Sequence, residues 1–389
     1  MVMKTILIVT HTYSNGGGAE RVLHTLVGEL SKWYKIDIIE RWEDCSCVFE
    51  LPDNVRRLKS MTYFPHFVEE KGWNKILWSL HRNLLSLLTI VFPSLVYRHY
   101  IKGKYDIEVS FNYLYPALLI VNSPNKHSKK IAWNHGDLFD LDYKKFNGFQ
   151  RIKQWVKFEI EKEALKKVDS VVAISHNTYH SICQLFPFAQ ERLSIISNGY
   201  DLSQIAIKSK EESVPASSRF RLIFLGRLDY NKNVISQIKA VNTILNDGKL
   251  DVEFLIYGQG EEEQKLKAAA GRYLDKNIFF RGFSANPYPQ LKSSNALLMT
   301  SYSEGFPTVL IESICLGVPV IATRVGGVDE IVKDGVNGII VENNVNDIAE
   351  KIRYMANHYE QFENHIEETV SHFSAKNWGN EVKKLIESL

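Results

Sequence analysis

Cysteine is scarce in this chain of 389 residues: there are four, Cys45, Cys47, Cys183 and Cys315, with no Cys-x-x-Cys pair among them. A disulfide framework and a zinc or dithiol redox motif are excluded, and a reducing compartment is the expected setting. Proline is also sparse at 11 residues, and with 45% hydrophobic residues the chain is neither a Pro-rich nor a disordered polymer. A strong net charge is missing as well. The 47 Lys+Arg and 45 Asp+Glu leave +2, too little field to make nucleic acid a main partner. That balance hides a split, because residues 1–200 hold 26 basic and 20 acidic side chains, whereas residues 201–389 hold 21 and 25.

Long hydrophobic runs are absent. The opening MVMKTILIVT has an apolar run of about five residues before His11 and a glycine cluster, which reads as a first β-strand; a signal peptide would need roughly 7–15. Acid is absent from Lys71 to Tyr105, where Lys71, Lys75, Arg82, Arg98, Lys102 and Lys104 bracket the apolar run Leu84 to Tyr97. About 14 residues interrupted by Pro93 fall short of the roughly 20 that span a bilayer. Trp73, Trp78, Leu80, Leu84, Leu85, Leu87 and Leu88 with basic flanks fit a helix lying on an anionic membrane surface. A helix packed into the core with a solvated basic end fits the same residues.

What the chain does have is alternation. Short β-branched or apolar runs are expected as strands at 5–10, 36–40, 106–111, 130–134, 170–174 and 193–196, then at 221–225, 252–257, 278–281, 296–300, 318–323 and 338–341. Helical patterns separate most of them, which is the signature of parallel sheets with crossover helices. The length allows two domains, each with its own core. The boundaries expected are residues 1–200 and 201–373, with the polar stretch 203–219 as linker and an amphipathic helix at 374–389 carrying Trp378, Val382, Leu385 and Ile386. The fold class is therefore α/β, two Rossmann-like, doubly wound domains facing a central cleft, with ligands at the carboxyl ends of the strands.

Four glycine-bearing turns follow strands. Gly16, Gly17 and Gly18 precede a helix, where glycine lets backbone approach an anion and the helix N-terminus adds free N–H groups. Gly226-Arg227-Leu228-Asp229-Tyr230-Asn231-Lys232 places an Arg and a Lys five residues apart at a strand end, a pair suited to a diphosphate. Two solvated surface charges would look the same in isolation. Gly258, in Tyr257-Gly258-Gln259-Gly260, starts like a dinucleotide fingerprint, but Glu263 stands at the third glycine position and a plain tight turn near a ligand ring is preferred. The fourth turn, Ser301 to Glu312, holds two carboxylates, Glu304 and Glu312, around Gly305, Phe306, Pro307 and Thr308 at a helix start. A paired-carboxylate hydrolase is the competing chemistry there.

Taken together, GGGAER at 16–21, SNGYD at 197–201, GRLDYNK at 226–232, the Glu304-x7-Glu312 pair and GVPVIATRVGGVDEIVKDGVNGIIV at 317–341 resemble retaining family-4 glycosyltransferases. The resemblance runs from the first strand to about residue 345 and implies the GT-B fold, with a nucleotide-sugar held mainly by the C-terminal domain. It further implies that Arg227 and Lys232 hold the donor diphosphate, Glu312 the ribose hydroxyls and Glu304 the transferred sugar. Gly305 and Phe306 would offer backbone contacts, and Gly17 would lie near the reaction centre. His135, in IAWNHGD, stands where the family has a histidine near the donor sugar.

Asp140-Leu141-Asp142 matches the metal-binding Asp-x-Asp of the other large glycosyltransferase architecture, but without a clear strand it carries less weight than the set above. No obligatory metal and no cofactor are expected, since two cations and a helix N-terminus can neutralise a leaving diphosphate. The implied partners are a nucleotide-sugar and a glycan or lipid-linked glycan acceptor, with cytoplasmic placement, peripheral on the inner membrane face. A nucleotide-sugar epimerase of the same architecture, a retaining phosphorylase, for which no motif marks a pyridoxal phosphate lysine, and a catalytically silent sugar-nucleotide-binding partner remain the alternatives.

Overall fold

The strand TILIVT, β1 (Thr5–Thr10), is apolar at most positions because both faces of its sheet are covered. The computed structural model describes residues 3–14, 18–43, 49–63, 73–136, 138–362 and 364–389. Gly16, Gly17, Cys45, Cys47, Lys71 and Asp137 lie outside them. The chain divides into two compact units, Met1–Tyr200 with Ala375–Leu389, and Asp201–Ser374.

In the first unit, β1 is followed by β2 (Lys35–Glu40), β3 (Trp42–Glu43), β4 (Val55–Arg57), β5 (Thr62–Tyr63), β6 (Ile107–Ser110), β7 (Lys129–Asn134), β8 (Ser170–Ala173) and β9 (Leu193–Ile195). Seven of them form a parallel sheet in the order β4-β2-β1-β6-β7-β8-β9, and β3 and β5 pair separately. The winding reverses between β1 and β6, so the carboxyl ends of these strands border the crevice where such sheets bind ligands. The helices are α1 (Gly18–Leu30), α2 (Trp73–Val91), α3 (Pro93–Tyr100), α4 (Tyr115–Val121), α5 (Gly148–Leu165) and α6 (His176–Leu185).

The second unit opens with α7 (Leu202–Lys208), a correction to the linker expected at 203–219. Asp201 caps it through Oδ1, which accepts from Gln204 N at 2.9 Å, and Ile205 is buried. A polar average concealed one apolar face. The rest of the unit alternates β10 (Phe220–Leu225), α8 (Val234–Asp247), β11 (Val252–Tyr257), α9 (Glu263–Ala270), β12 (Ile278–Gly282), α10 (Tyr288–Lys292), β13 (Ala296–Met299), α11 (Thr308–Cys315), β14 (Val320–Thr323), α12 (Val328–Ile331), β15 (Gly338–Val341) and α13 (Val345–Asn357). Its parallel sheet runs β12-β11-β10-β13-β14-β15, reversing between β10 and β13. The last helix, α14 (Ala375–Ser388), returns to the first unit, where buried Trp378 meets Trp133 edge-on at 6.0 Å and Ala375 N donates to Tyr200 O.

The acid-free stretch forms α2 and α3, which meet at 115°. No single helix among the described residues is long and apolar enough to cross a membrane. Packing into the core accounts for part of this stretch only. Leu85 and Thr89 of α2 and Val96 and Tyr97 of α3 are buried, whereas Ile76, Leu77, Leu80, Leu84, Leu87, Leu88, Val91, Phe92 and Leu95 are exposed. On α5 of the same unit Phe149, Ile152, Trp155 and Val156 are exposed too. Isolated apolar residues on a surface are ordinary, but a stripe of this length is not.

Candidate functional site

The carboxyl end of β10 turns at Gly226 into a one-turn 3-10 segment, Tyr230–Lys232, and Asp229 organises it. Its Oδ1 accepts from Lys232 N at 3.2 Å, while its Oδ2 pairs with Arg227 Nη2 at 3.2 Å. Arg227 is 79% exposed and free to take a second anion. Lys232 Nζ reaches Glu304 Oε1 at 2.6 Å, and Ser301 Oγ donates to the same oxygen at 2.6 Å. Two motifs 72 residues apart in sequence therefore meet. An ammonium has three N–H bonds, so Lys232 keeps two for a ligand while holding Glu304.

The segments are locked together by backbone. Tyr302 N donates to Asn231 O at 2.8 Å and Asn231 Nδ2 to Ser303 O at 2.8 Å, beneath the stacked rings of Tyr230 and Tyr302, whose centroids are 5.0 Å apart. The Gly258 turn lies directly on the Gly226 turn, and a Cβ at Gly258 would sit 1.7 Å from Gly226 O. At Gly326 (φ +56°) a Cβ would sit 2.0 Å from Glu304 O, and Gly327 N donates to Gly305 O at 2.9 Å. Glycine at these two places is required by close approach of main chains. Phe306 is buried against Phe373, Pro307 precedes the first turn of α11, and Thr308 and half-buried Glu312 share a helix face by their spacing of four.

The structure brings Arg227, Lys232, Gly226, Gly258, Glu304, Gly305, Phe306, Pro307, Thr308 and Glu312 into the second unit and His135 and Gly18 into the first. Gly18 opens α1, behind which buried Glu20 accepts from Thr12 Oγ1. His135 follows β7 with its ring against Phe111, 4.1 Å between centroids. Burial pushes its imidazole down to about 3, so it is neutral at physiological pH, and its Nε2 has no partner among the described residues. Further buried polar atoms without partners collect at the same strand ends: His11 Nδ1 after β1, Ser110 Oγ in β6, and both side-chain atoms of Asn134 in β7. Such atoms are normally satisfied, and these lie at the carboxyl ends of β1, β6 and β7, the edge at which sheets of this winding bind ligands.

Sequence reasoning missed Asp229 as the organiser of both cations and missed His11 and Asn134 altogether, since nothing in local pattern distinguishes them. Among the described residues, no group of three or more His, Cys, Asp or Glu is placed to hold a metal ion. The Asp140-x-Asp142 motif falls on a pair of 3-10 turns, Phe139–Leu141 and Tyr143–Lys145, where Asp142 Oδ1 accepts from Lys144 N.

Two family models match successive parts of the chain: Glycosyltransferase Family 4 over residues 16–204 and Glycosyl transferases group 1 over residues 206–371. The chain is a family-4-type glycosyltransferase with the GT-B fold. Among its curated relatives is the Campylobacter jejuni enzyme named N-acetylgalactosamine-N,N'-diacetylbacillosaminyl-diphospho-undecaprenol 4-alpha-N-acetylgalactosaminyltransferase, 27% identical over 351 residues, 88% of each chain. An uncharacterized glycosyltransferase of Methanocaldococcus jannaschii is 30% identical over 224 residues, and this glycosyltransferase spans 56% of that relative's length. Among solved structures, Anabaena HepE in complex with UDP superposes on this glycosyltransferase with a TM-score of 0.70 at 16% identity, covering 99% of this chain and 100% of that one.

Proposed function

We propose that the protein transfers a sugar from a nucleoside-diphosphate-sugar to an acceptor hydroxyl with retention at the anomeric carbon, and that the acceptor is a lipid-linked or growing bacterial surface glycan. The observation that carries the donor reading is the Asp229-organised pair Arg227 and Lys232, with Lys232 joined to Glu304 in the loop before α11. Arg227, the two remaining N–H bonds of Lys232 and the N-terminus of α11 would stabilise the charge that develops on the leaving diphosphate. Glu304 would orient the transferred sugar and Glu312 accept from the ribose. The acceptor hydroxyl would enter on the face the diphosphate leaves, and a phosphate oxygen would take its proton. This arrangement supplies the positive charge from protein groups, and no metal is part of the reading.

The acceptor half rests on the names of relatives, one of which carries a diphospho-undecaprenol acceptor in its name, and on the exposed apolar faces of α2 and α5. A panel of nucleotide-sugars, assayed for nucleoside diphosphate release with and without glycan acceptors, tests the transfer. Proton coupling at the new anomeric carbon reads retention. Isomerised nucleotide-sugar without acceptor would make the protein an epimerase, and no turnover with any donor would make it a silent binding partner.

The surface that α2 and α3 would meet is an anionic membrane, because Arg82, Arg98, Lys102 and Lys104 accompany the apolar stripe and no acid does. Liposome flotation with anionic vesicles should carry the wild-type chain upward, and Leu80→Glu with Leu84→Glu should reduce the floating fraction about tenfold or more. Equal behaviour with neutral and anionic vesicles, or no flotation, would reject the membrane reading.

A further inference from the structure

Directly after β2, Arg41 is 0% exposed. Its guanidinium lies between the rings of Trp42, 4.4 Å away, and Tyr115, 4.0 Å away, and Nη2 donates to Ser86 Oγ at 3.3 Å. Among the described residues, Nε and Nη1 have no partner. No carboxylate among the described residues pairs with it. Its chain neighbour Glu40 is taken by Arg57 and by Tyr13 N and Ser14 N, and Glu43 pairs with Arg57. Burial lowers the Arg41 pKa only to about 10, so the group stays charged at neutral pH. A buried cation with two unspent donor atoms and no counter-ion among the described residues is an arrangement that folds avoid unless something supplies the anion.

The three residues that hold Arg41 also line a cavity of about 400 Å³, together with Thr12, Trp78 and Arg82. Thr12 follows β1, Trp42 follows β2 and Tyr115 starts α4 after β6, so the cavity sits where the winding of the sheet reverses. Its wall is fixed from behind: Leu114 N, just before Tyr115, donates to buried Glu161 Oε2 at 2.6 Å. Trp78, Arg82 and Ser86 recur at intervals of four and present one face of α2 to the cavity. Leu77, Leu80, Leu84, Leu87 and Val91 are exposed on the same helix.

We propose that this cavity receives the phosphate group of a prenyl-phosphate-linked acceptor, with Arg82 in contact and Arg41 as the buried charge behind it, while the exposed leucines of α2 accompany the hydrocarbon chain. The inference rests on the lipid-linked acceptor reading above. A guanidinium pair suits a phosphate through forked, charge-assisted hydrogen bonds, and the aromatic walls exclude water from them.

The test uses the full chain and three probes: farnesyl diphosphate, farnesol and inorganic diphosphate, with binding followed by calorimetry. Farnesyl diphosphate should bind more tightly than either of the others. Arg82→Gln should weaken it about tenfold and Arg41→Met about 10- to 100-fold, whereas Lys129→Ala, on an exposed strand end, should match the wild type. Arg82 is exposed, so its variant remains informative should Arg41→Met fail to fold. Unchanged affinity in Arg82→Gln and in folded Arg41→Met would overturn the proposal, as would farnesol or inorganic diphosphate binding as tightly as the prenyl diphosphate. Transfer assays separate this failure from that of the reading beneath it. A wild type that glycosylates prenyl-diphosphate glycans, with the two variants keeping its acceptor KM, rejects the cavity alone; a wild type that glycosylates only phosphate-free acceptors rejects the acceptor class.

Discussion

Lys232→Ala is expected to lower sugar transfer about 10²- to 10³-fold, the loss typical of removing one preorganised donor from a developing anion. Two effects combine. The diphosphate loses its point charge, and Glu304, held at 2.6 Å by Lys232, loses the cation that fixes its carboxylate. Ser301 Oγ still donates to Glu304, so the side chain is not set free altogether. Arg227→Ala separates the contributions, because its guanidinium is 79% exposed and pairs only with Asp229 among the described residues. Its turnover should fall about 10- to 100-fold with a melting temperature matching the wild type. Nucleoside diphosphate release under saturating acceptor, with thermal denaturation of the same samples, measures both. Transfer within a factor of two of wild type in either variant would remove these side chains from the donor site.

Gly326→Ala should be strongly damaging although it adds a single methyl group. The new Cβ would lie 2.0 Å from Glu304 O, a main-chain atom that cannot rotate away, and the residue holds φ at +56°, where alanine is disfavoured by about 1–2 kcal/mol. Relief requires moving the Glu304-Gly305 peptide, which Gly327 N also holds through Gly305 O. A loss of about 3 kcal/mol or more is expected, lowering the melting temperature of the second unit by roughly 6–12 °C. Turnover should drop about 10²-fold even well below that melting temperature, because displacements near 1 Å at a reacting group cost that much. A folded variant with wild-type turnover would show that the position of the Glu304 backbone is unimportant to transfer.

The parallel sheets were legible because strands covered on both faces have no polar alternation to hide them. Ile6-Leu7-Ile8-Val9 and Val171-Val172-Ala173 leave little room for another reading. Two-residue strands such as Trp42–Glu43 and Thr62–Tyr63 carry no period at all, and α7 was masked by Ser203, Gln204 and Lys208 on its outer face and by the polar run that follows it. The donor-side motifs were visible as residue types at strand ends, but the Lys232–Glu304 contact is not, since it joins segments that only the sheet order makes neighbours. Arg41 was invisible for the same reason. In sequence it is one more arginine beside a tryptophan; only β6, which brings Tyr115 to its other face, and α2, which brings Ser86, make it an enclosed charge.

The return of α14 gives the chain an unusual modularity. Polypeptide leaves the first unit after Tyr200 and re-enters at Ala375, and these two residues are joined by a hydrogen bond of 2.8 Å from Ala375 N to Tyr200 O. In topological terms the second unit is an insertion whose entry and exit share one doorway, while the first unit closes around Trp378 only once α14 has been made. Exchange of the second unit between relatives can therefore proceed as a cassette, cut at those two peptide bonds, with the first unit and its closing helix left as inherited.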